Sequence, residues 1–489
     1  MQNTFYWHDY ETWGIDPRRD RPSQFAGVRT DEALNAIGDP LMIYCRPADD
    51  ILPQPEACLV TGLTPQKALL DGVCEAEFIR RIHAELARPG TCGVGYNSIR
   101  FDDEFTRYAL YRNFYDPYAR EWQNGNSRWD IIDMVRLTFA LRPEGIEWPM
   151  YDDGTPCFKL EELTAANDIS HTAAHDALSD VYATIALARL IKERQPRLFD
   201  YIFRQRNKRL VDRQLDLCEK MPVLHVSSMF PACYGRMAMV APVTRHPVNK
   251  NGVIVFDLRY DPEPFFDLSV EELHQRLFTP TKELPEGVER LPLKMVHLNK
   301  SPVVVPMNTL TPKATERWQI DVAAGEQHAK RLQRASAFEE KVRQAHTLQR
   351  FEAVSDPDHD LYGGFFSGHD RKQIDIVRHA KPQELSDLQL HFEDKRLPKM
   401  QLRYQARNWP ETLFGDGLVR WNEFRRKRIC ESDGGGSITL AEYREKIMAL
   451  KNSPDIAAEK MLLLDELTAW GEQIETSLQS ISPERQQHS

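Results

Sequence analysis

The sequence predicts a mixed α/β protein built from several domains, and three observations support that fold class. The chain has 489 residues, which is more than one ordinary domain holds, so we expect two to four domains. Strand-like and helix-like apolar spacings alternate over the first ~195 residues. Short β-rich runs then occupy residues 222–310, and helical spacing returns from residue 314 onward.

In the first region, early hairpin strands are followed by strand–helix crossovers, which is typical of an α/β domain. Strands are predicted at Thr4–His8, Gln24–Arg29, Leu41–Arg46 and Thr91–Tyr96. Helices are predicted at Glu75–Leu86, Asp103–Tyr111, Ile131–Leu141 and Ala177–Arg194.

Pro196 ends this pattern, and Phe199–Arg213 then predicts one basic helix. Pro, Gly and Asn separate the β-rich runs that follow, which indicates a small barrel or a compact α+β insert. Those runs are Val223–Val226, Met237–Val240, Val253–Leu258, Met295–Leu298 and Val303–Val305.

The last region predicts a charged helix near 382–392 and two helices at about 440–452 and 455–480. An apolar stripe on the final helix indicates core packing; it consists of Met461, Leu464, Leu467, Trp470 and Ile474. The changes in pattern divide the chain into domains at 1–195, 196–350 and 355–489.

Composition excludes several classes of protein. Hydrophobic residues make up 41% and charged residues 28%, as in soluble globular proteins. No apolar run approaches the ~18 residues of a membrane span, and the N-terminal residues lack the pattern of a secretory signal. The eight cysteines form no CxxC pair, which predicts free thiols and a cytoplasmic location.

The net charge of −10 is unevenly distributed along the chain. Residues 1–200 carry −11, residues 201–350 carry +6 and residues 351–489 carry −5. A basic middle between acidic ends indicates a polyanion-binding module attached to a metal-binding domain, with chance asymmetry as the alternative.

Asp9 and Glu11 end the first predicted strand, and residues two apart on a strand share a face. Two carboxylates there raise each other's pKa unless a cation lies between them. Aromatic neighbours on both sides predict partial burial, so a divalent metal is the natural partner.

Two further acidic motifs follow predicted strands or open helices. Asp102 and Asp103 precede a helix, and either could cap it. The segment His175–Asp180 contains Asp176, a possible helix cap, and Asp180 inside the helix, where an unpaired carboxylate is costly.

The order D-x-E, N-x-x-x-F-D and H-D-A-x-x-D resembles the histidine-containing branch of the DEDD exonuclease superfamily, which has a ribonuclease-H-like fold. The resemblance implies that Asp9, Glu11, Asp102 and Asp180 are metal carboxylates and that His175 is the general base. It implies two Mg²⁺ ions, for which Mn²⁺ would substitute, because hard cations prefer oxygen ligands.

Longer runs resemble the bacterial exonuclease I family. They include Tyr111–Tyr118, Asn126–Asp130, Leu141–Gly145, Arg194–Tyr201, Gly363–Phe366 and Tyr404–Asn408. The resemblance implies an exonuclease domain, a Src-homology-3-like (SH3-like) domain and a helical C-terminal domain forming a C-shaped clamp. It implies a monomeric enzyme of DNA repair that degrades single-stranded DNA processively from 3′ to 5′ and releases 5′-mononucleotides near the nucleoid, without a membrane.

Basic and aromatic residues interleave over 107–142, a pattern that offers phosphate donors and stacking surfaces to a single strand. The predicted substrate-binding residues are Glu11, Arg107, Tyr118, Trp122, Arg136, Lys159 and Lys208. The family also binds the C-terminal tail of single-stranded DNA-binding protein, and the predicted contacts for that tail are Tyr201, Arg204 and Arg206.

Two departures from the family stand out. Lys159 occupies a position where the family usually has Arg, so the charge is kept and the bidentate fork is lost. The run from Glu431 to Glu442 has EF-hand-like spacing, but a glycine turn before a helix capped by Thr439 is the simpler interpretation.

Two other functions stay open at this point. An RNA-directed enzyme of the same superfamily would have a shorter chain. A non-catalytic DNA-binding protein with a decayed site would not need all five catalytic positions.

Overall fold

The computed structural model describes residues 3–171, 176–349, 354–454 and 456–479. The chain divides into two compact units. Unit 1 comprises residues 1–126, 172–182 and 353–489, and unit 2 comprises residues 127–171 and 183–352. The C-terminal helices therefore fold with the N-terminal sheet in one unit.

The described residues form ten strands: β1 (Thr4–Thr12), β2 (Pro22–Thr30), β3 (Leu41–Tyr44), β4 (Thr91–Gly95), β5 (Ser127–Asp130), β6 (Val223–Val226), β7 (Met237–Arg245), β8 (Gly252–Asp257), β9 (Leu293–His297) and β10 (Val303–Pro306).

The same residues form eighteen α-helices: α1 (Pro55–Thr61), α2 (Pro65–Asp71), α3 (Glu75–Leu86), α4 (Asp102–Arg112), α5 (Ile132–Leu141), α6 (Leu160–Ala166), α7 (Ala177–Arg194), α8 (Pro196–Gln205), α9 (Lys208–Gln214), α10 (Val270–Phe278), α11 (Pro312–Arg317), α12 (Val322–Arg334), α13 (Ser336–Thr347), α14 (Gly368–His379), α15 (Leu397–Asn408), α16 (Gly415–Cys430), α17 (Leu440–Lys451) and α18 (Ala458–Gln479).

The sheet of unit 1 has β1 near its centre. β1 pairs with β2 in antiparallel and with β4 in parallel orientation, and β2 pairs with β3. Both faces of β1 and β2 are largely buried, so the apolar core of Tyr6, Phe25, Phe78 and Ile82 forms against the helices. This burial holds the end of β1 in a fixed position.

Two further cores join the C-terminal helices to this sheet and its helices. Tyr108 of α4 packs with Val377 of α14 and Met400 of α15. Trp13 and α1 pack with α17 and α18, where Leu464, Leu467, Trp470 and Ile474 of the predicted stripe are buried. The prediction of core packing for that stripe is confirmed.

The sheet of unit 2 is fully antiparallel, in the strand order β10-β6-β7-β8-β9. Its core is rich in valine, which suits a buried pleated surface. Gly235 has a φ of +64°, and a Cβ there would lie 2.7 Å from the Trp318 ring, so a glycine is required in this turn.

Two predicted helices differ from the structure. The basic segment 199–213 is two helices, α8 and α9, because the side chain of Asn207 accepts a hydrogen bond from Arg209 N and starts a new helix. The charged helix near 382–392 is wrong. Beyond a short 3₁₀ turn, alternate residues Leu388, Leu390 and Phe392 pack on the core, which is the spacing of an extended chain.

None of the eight cysteines, all of which lie in the described part of the chain, forms a disulfide, as predicted. No helix among the described residues has the length and apolar character needed to cross a bilayer.

Candidate active site

Three carboxylates meet at the end of β1. Asp9 and Glu11 project from β1, and Asp180 comes from the first turn of α7. One carboxylate oxygen from each residue lies within 4.8 Å of the other two. The predicted shared face of Asp9 and Glu11 is therefore present, and α7 adds the third acid.

The carboxylates of this cluster repel one another, and the pKa values of Asp9 and Glu11 are raised. Burial raises the pKa of Asp9 well above its ordinary value, and Asp102 and Asp180 raise it further. Burial together with Asp9 and Asp180 raises the pKa of Glu11 to about 9. The neighbouring charges that raise the pKa of Asp9 and of Glu11 are carboxylates, an arrangement that a bound cation would stabilise.

The donor set fits a hard divalent cation. The cluster offers carboxylate oxygens, which Mg²⁺ and Mn²⁺ prefer, and no cysteine or described histidine belongs to it. Since like charges this close together are costly without a counter-ion, the arrangement suits a metal centre.

Asp102 and Asp103, adjacent in sequence, have different contacts. Asp102 Oδ1 accepts a hydrogen bond from Tyr10 N at 3.0 Å and lies outside the group of three, although its charge acts on Asp9. Asp103 forms a buried ion pair with Arg120 at 2.5 Å. Neither is the N-cap of α4, which is Phe101.

The third sequence motif is partly described. His175 lies outside the described residues. Asp176 does act as a cap, because its Oδ2 accepts a hydrogen bond from Ser179 N at 3.3 Å. Gln24 of β2 hydrogen-bonds to Asp176, a contact that sequence reasoning missed. A glutamine directly before the apolar run Phe25–Val28 of this strand is the signal that could have found it.

The predicted substrate residues with basic side chains have different surroundings. Arg107 is buried between Glu104 and Glu121, each 2.7 Å away. Arg136 pairs with Asp133 and lies over the Phe158 ring. Lys159 is exposed, and its ion pair with Glu161 is long at 3.8 Å. Of these three side chains, it is therefore the one best able to reach a ligand.

Aromatic side chains form an open surface on unit 1. Trp122 is 66% exposed and Phe365 is 82% exposed. Tyr118 meets Phe365 edge to face at 6.0 Å, beside a cavity of about 200 Å³ that Arg371 and Arg378 also line. Sequence reasoning did not select Phe365; the two glycines before it, Gly363 and Gly364, are the signal that could have found an exposed turn there.

Part of the basic and aromatic interleaving is structural. Arg112 pairs with buried Glu75, and Arg128 donates to the carbonyl of Asn299. Trp129 is buried against Phe199, so it belongs to the core of unit 2.

The residues predicted for the partner tail lie on and just after α8, and Lys208 begins α9. Tyr201 is half-buried and its hydroxyl accepts from Gln214 Nε2. Arg204 is exposed, whereas Arg206 lies over the Phe203 ring at 3.6 Å. Lys208 Nζ donates to Asn251 Oδ1 at 3.1 Å.

The EF-hand-like run is a turn before a capped helix. Thr439 and Glu442 form a capping box at the start of α17, as the simpler interpretation predicted. Within the described ranges, no group of metal-ligating side chains lies in this run.

The sheet, the paired acids of β1 and the acidic first turn of α7 define an exonuclease domain. A family model described as an exonuclease matches residues 6–188. Models for the exonuclease I SH3-like domain and the exonuclease I C-terminal domain match residues 206–348 and 355–474. The chain belongs to the exodeoxyribonuclease I family, and it is an exodeoxyribonuclease.

Similar proteins extend over nearly the whole chain. Exodeoxyribonuclease I of Escherichia coli K12 is 46% identical over 475 residues, which cover 97% of this chain and 98% of that relative. The solved structure of exonuclease I from Methylocaldum szegediense is 52% identical, covers 96% of this chain and 99% of its own, and has a TM-score of 0.93.

Other solved structures contain ligands. E. coli exonuclease I in complex with a dA16 oligonucleotide is 46% identical, covers 97% of this chain and 100% of its own, and has a TM-score of 0.93. One E. coli complex with single-stranded DNA holds a zinc ion, and another structure joins SSB and exonuclease I with an inhibitor. The family and the acidic cluster indicate dependence on a divalent metal.

Proposed function

We propose that this enzyme is a Mg²⁺-dependent exonuclease that degrades single-stranded DNA processively from 3′ to 5′, releasing 5′-mononucleotides, in DNA repair and recombination. The observation that carries the proposal is the cluster of Asp9, Glu11 and Asp180, in which one carboxylate oxygen of each residue lies within 4.8 Å of the other two.

Asp9, Glu11, Asp102 and Asp180 would hold two Mg²⁺ ions. The metal would supply neutralisation of the charge that develops on the attacking and leaving oxygens of the phosphodiester. His175 would accept the proton of the attacking water, since an imidazole titrates near neutral pH. Asp102 also anchors β1 to α4 through Tyr10 N, which supports a fixed site.

The DNA strand would be held by stacking and by phosphate contacts. Tyr118 and Trp122 offer aromatic surfaces on unit 1, and exposed Phe365 extends that surface. Lys159, Arg136 and Lys208 would contact phosphates, and Glu11 would also contact the substrate. Arg107, already bound by two carboxylates, would contribute to binding by supporting the Tyr118 ring, over which its guanidinium lies.

The acidic tail of single-stranded DNA-binding protein is the proposed protein partner. Tyr201, Arg204 and Arg206 would form the contact, in keeping with the SSB/exonuclease I structure of a relative. Charge reversal at exposed Arg204 should abolish pull-down of the chain by the tail peptide. Unchanged pull-down would move the contact elsewhere.

We also propose that the functional divisions are 1–195, 196–350 and 355–489, that the enzyme acts as a monomer, and that it works in the cytoplasm at the nucleoid, where its DNA substrate lies.

A time course on single-stranded DNA labelled at its 5′ end tests the activity. Wild type with Mg²⁺ should give a ladder that shortens from the 3′ end, whereas EDTA or Asp9→Ala should prevent cleavage. A matched RNA strand distinguishes the RNA-directed alternative. An uncut DNA strand that is still bound would favour the non-catalytic binding protein.

A further inference from the structure

Gln24 joins the sheet to the helix turn that carries Asp180. It lies on β2 opposite Glu11 in the β1–β2 register, and it is 1% exposed. Its Nε2 donates to Asp176 Oδ1 at 3.1 Å, and its Oε1 accepts from Ala177 N at 3.4 Å. One side chain therefore holds the start of α7 through both a carboxylate and the main chain.

The chemistry of these contacts requires an amide. A carboxylate cannot donate to Asp176, and an apolar chain can neither donate nor accept. Asp176 in turn accepts from Ser179 N, so the link continues along the turn toward Asp180. Because Gln24 and Ala177 are buried and Asp176 is half-buried, loss of the link would leave polar groups without hydrogen bonds.

We propose that Gln24 is a positioning residue for the metal centre. Its amide fixes the first turn of α7, and so sets the distance between Asp180 and the pair Asp9 and Glu11. The inference rests on the proposed metal-binding role of those three carboxylates. Groups behind metal ligands commonly change metal affinity by about 10- to 100-fold when they are replaced.

Isothermal titration of Mg²⁺ into the metal-free full-length protein tests the inference without relying on activity. Gln24→Met keeps the side-chain length and removes both hydrogen bonds, so Mg²⁺ affinity should fall by about tenfold. Gln24→Glu should bind Mg²⁺ about as weakly as Gln24→Met, because the new carboxylate faces that of Asp176 and cannot donate a hydrogen bond to it.

A reciprocal exchange tests the hydrogen bonds themselves. In the double variant Gln24→Glu with Asp176→Asn, the amide and the carboxylate change places, so each donor again faces an acceptor and the total charge is unchanged. The affinity for Mg²⁺ should return to within about threefold of wild type. The effects of the two substitutions would then not add, which identifies the residues as coupled. A double variant as weak as Gln24→Glu would overturn the inference.

Gln405→Met is the matched control. Gln405 is another buried glutamine, and it lies on α15. Its Nε2 donates to Ser386 Oγ and to Thr412 Oγ1, and none of these residues belongs to the acidic cluster. Its replacement should lower the melting temperature and leave Mg²⁺ affinity unchanged. Equal losses of affinity in both methionine variants would mean general destabilisation and reject a specific role for Gln24.

The outcomes separate this inference from the proposed function. If wild type binds no Mg²⁺, the proposed function fails. If wild type binds Mg²⁺, Asp9→Asn does not, and Gln24→Met binds as tightly as wild type, only the positioning role of Gln24 fails.

Discussion

Unit 1 contains two groups of buried or half-buried carboxylates, and they differ in what surrounds them. At the end of β1, Asp9 and Glu11 face other acids, and the pKa of each is raised. In the contact between the N-terminal part and the C-terminal helices, Asp50 and Asp358 face arginines, and the pKa of each is lowered.

The second group is a network of ion pairs. Arg407 Nη2 lies 2.8 Å from Asp50 and 2.6 Å from Asp358, and all three side chains are at least 96% buried. Arg428 adds a hydrogen bond to the carbonyl of Asp50. Burial alone would raise the pKa of Asp358, but Arg407 and Arg403 outweigh it and hold that pKa well below its usual range.

The comparison distinguishes a group of acids suited to binding a ligand, at the end of β1, from a group of acids that stabilises the fold, around Arg407. A buried carboxylate is stabilised within the chain when arginines surround it, whereas carboxylates that face one another are suited to binding a cation. Substitutions should therefore have opposite effects on stability in the two groups. The following predictions test that contrast, from the largest expected effect to the smallest.

Asp9→Asn should reduce the rate of DNA degradation by about a thousandfold, because the metal contributes several kcal/mol to catalysis and each 1.4 kcal/mol is a factor of ten. In EDTA the same variant should be more stable than wild type, since one repelling charge is removed. Nuclease assays and urea unfolding in EDTA measure the two effects. A destabilised metal-free variant would contradict the contrast.

Asp358→Asn should lower the free energy of unfolding by about 3–5 kcal/mol, because buried Arg407 and Arg403 lose a countercharge. The exposed pair of Asp375 and Arg378 provides the control, and Asp375→Asn should cost less than about 1 kcal/mol. Urea unfolding measures both variants. Similar losses in the free energy of unfolding would show that burial does not strengthen the effect of breaking an ion pair.

The stabilisation by Asp358 should also depend on pH. Its pKa is lower in the folded than in the unfolded chain, where it is about 4, so the unfolded chain binds the proton first as pH falls. The contribution is therefore complete above about pH 4 and is lost below that. The difference in melting temperature between wild type and Asp358→Asn should be constant from pH 7 to 5 and shrink below pH 4. A constant difference at all pH values would refute this.

Lys159→Arg should have the smallest effect on the fold and a measurable effect on binding. Lys159 is exposed beside Glu161, so its replacement should change stability by less than about 0.5 kcal/mol. The guanidinium offers a bidentate fork to phosphate, so affinity for single-stranded DNA should rise by about threefold. Fluorescence anisotropy in EDTA with a labelled strand measures binding without cleavage, and Lys159→Gln, which should bind more weakly, is the control.

Sequence periodicity predicted most strands and long helices because apolar spacing depends on local geometry. The predictions from periodicity were wrong where a helix cap or packing against distant residues determines the local structure. Asn207 starts a second helix in the basic segment 199–213, and the region near 382–392 is extended because its alternate apolar residues pack on a core formed by distant parts of the chain.

The sequence by itself determined the acidic residues, their strand and helix, and the family to which the chain belongs, because these depend on residue types at fixed spacings. Only the tertiary structure decided that Asp102 accepts a hydrogen bond from Tyr10 N, that Asp103 pairs with Arg120, and that Gln24 reaches Asp176. Each of these contacts joins residues far apart in the chain. Whether a buried carboxylate binds a metal or an arginine is decided by the charges that folding places beside it.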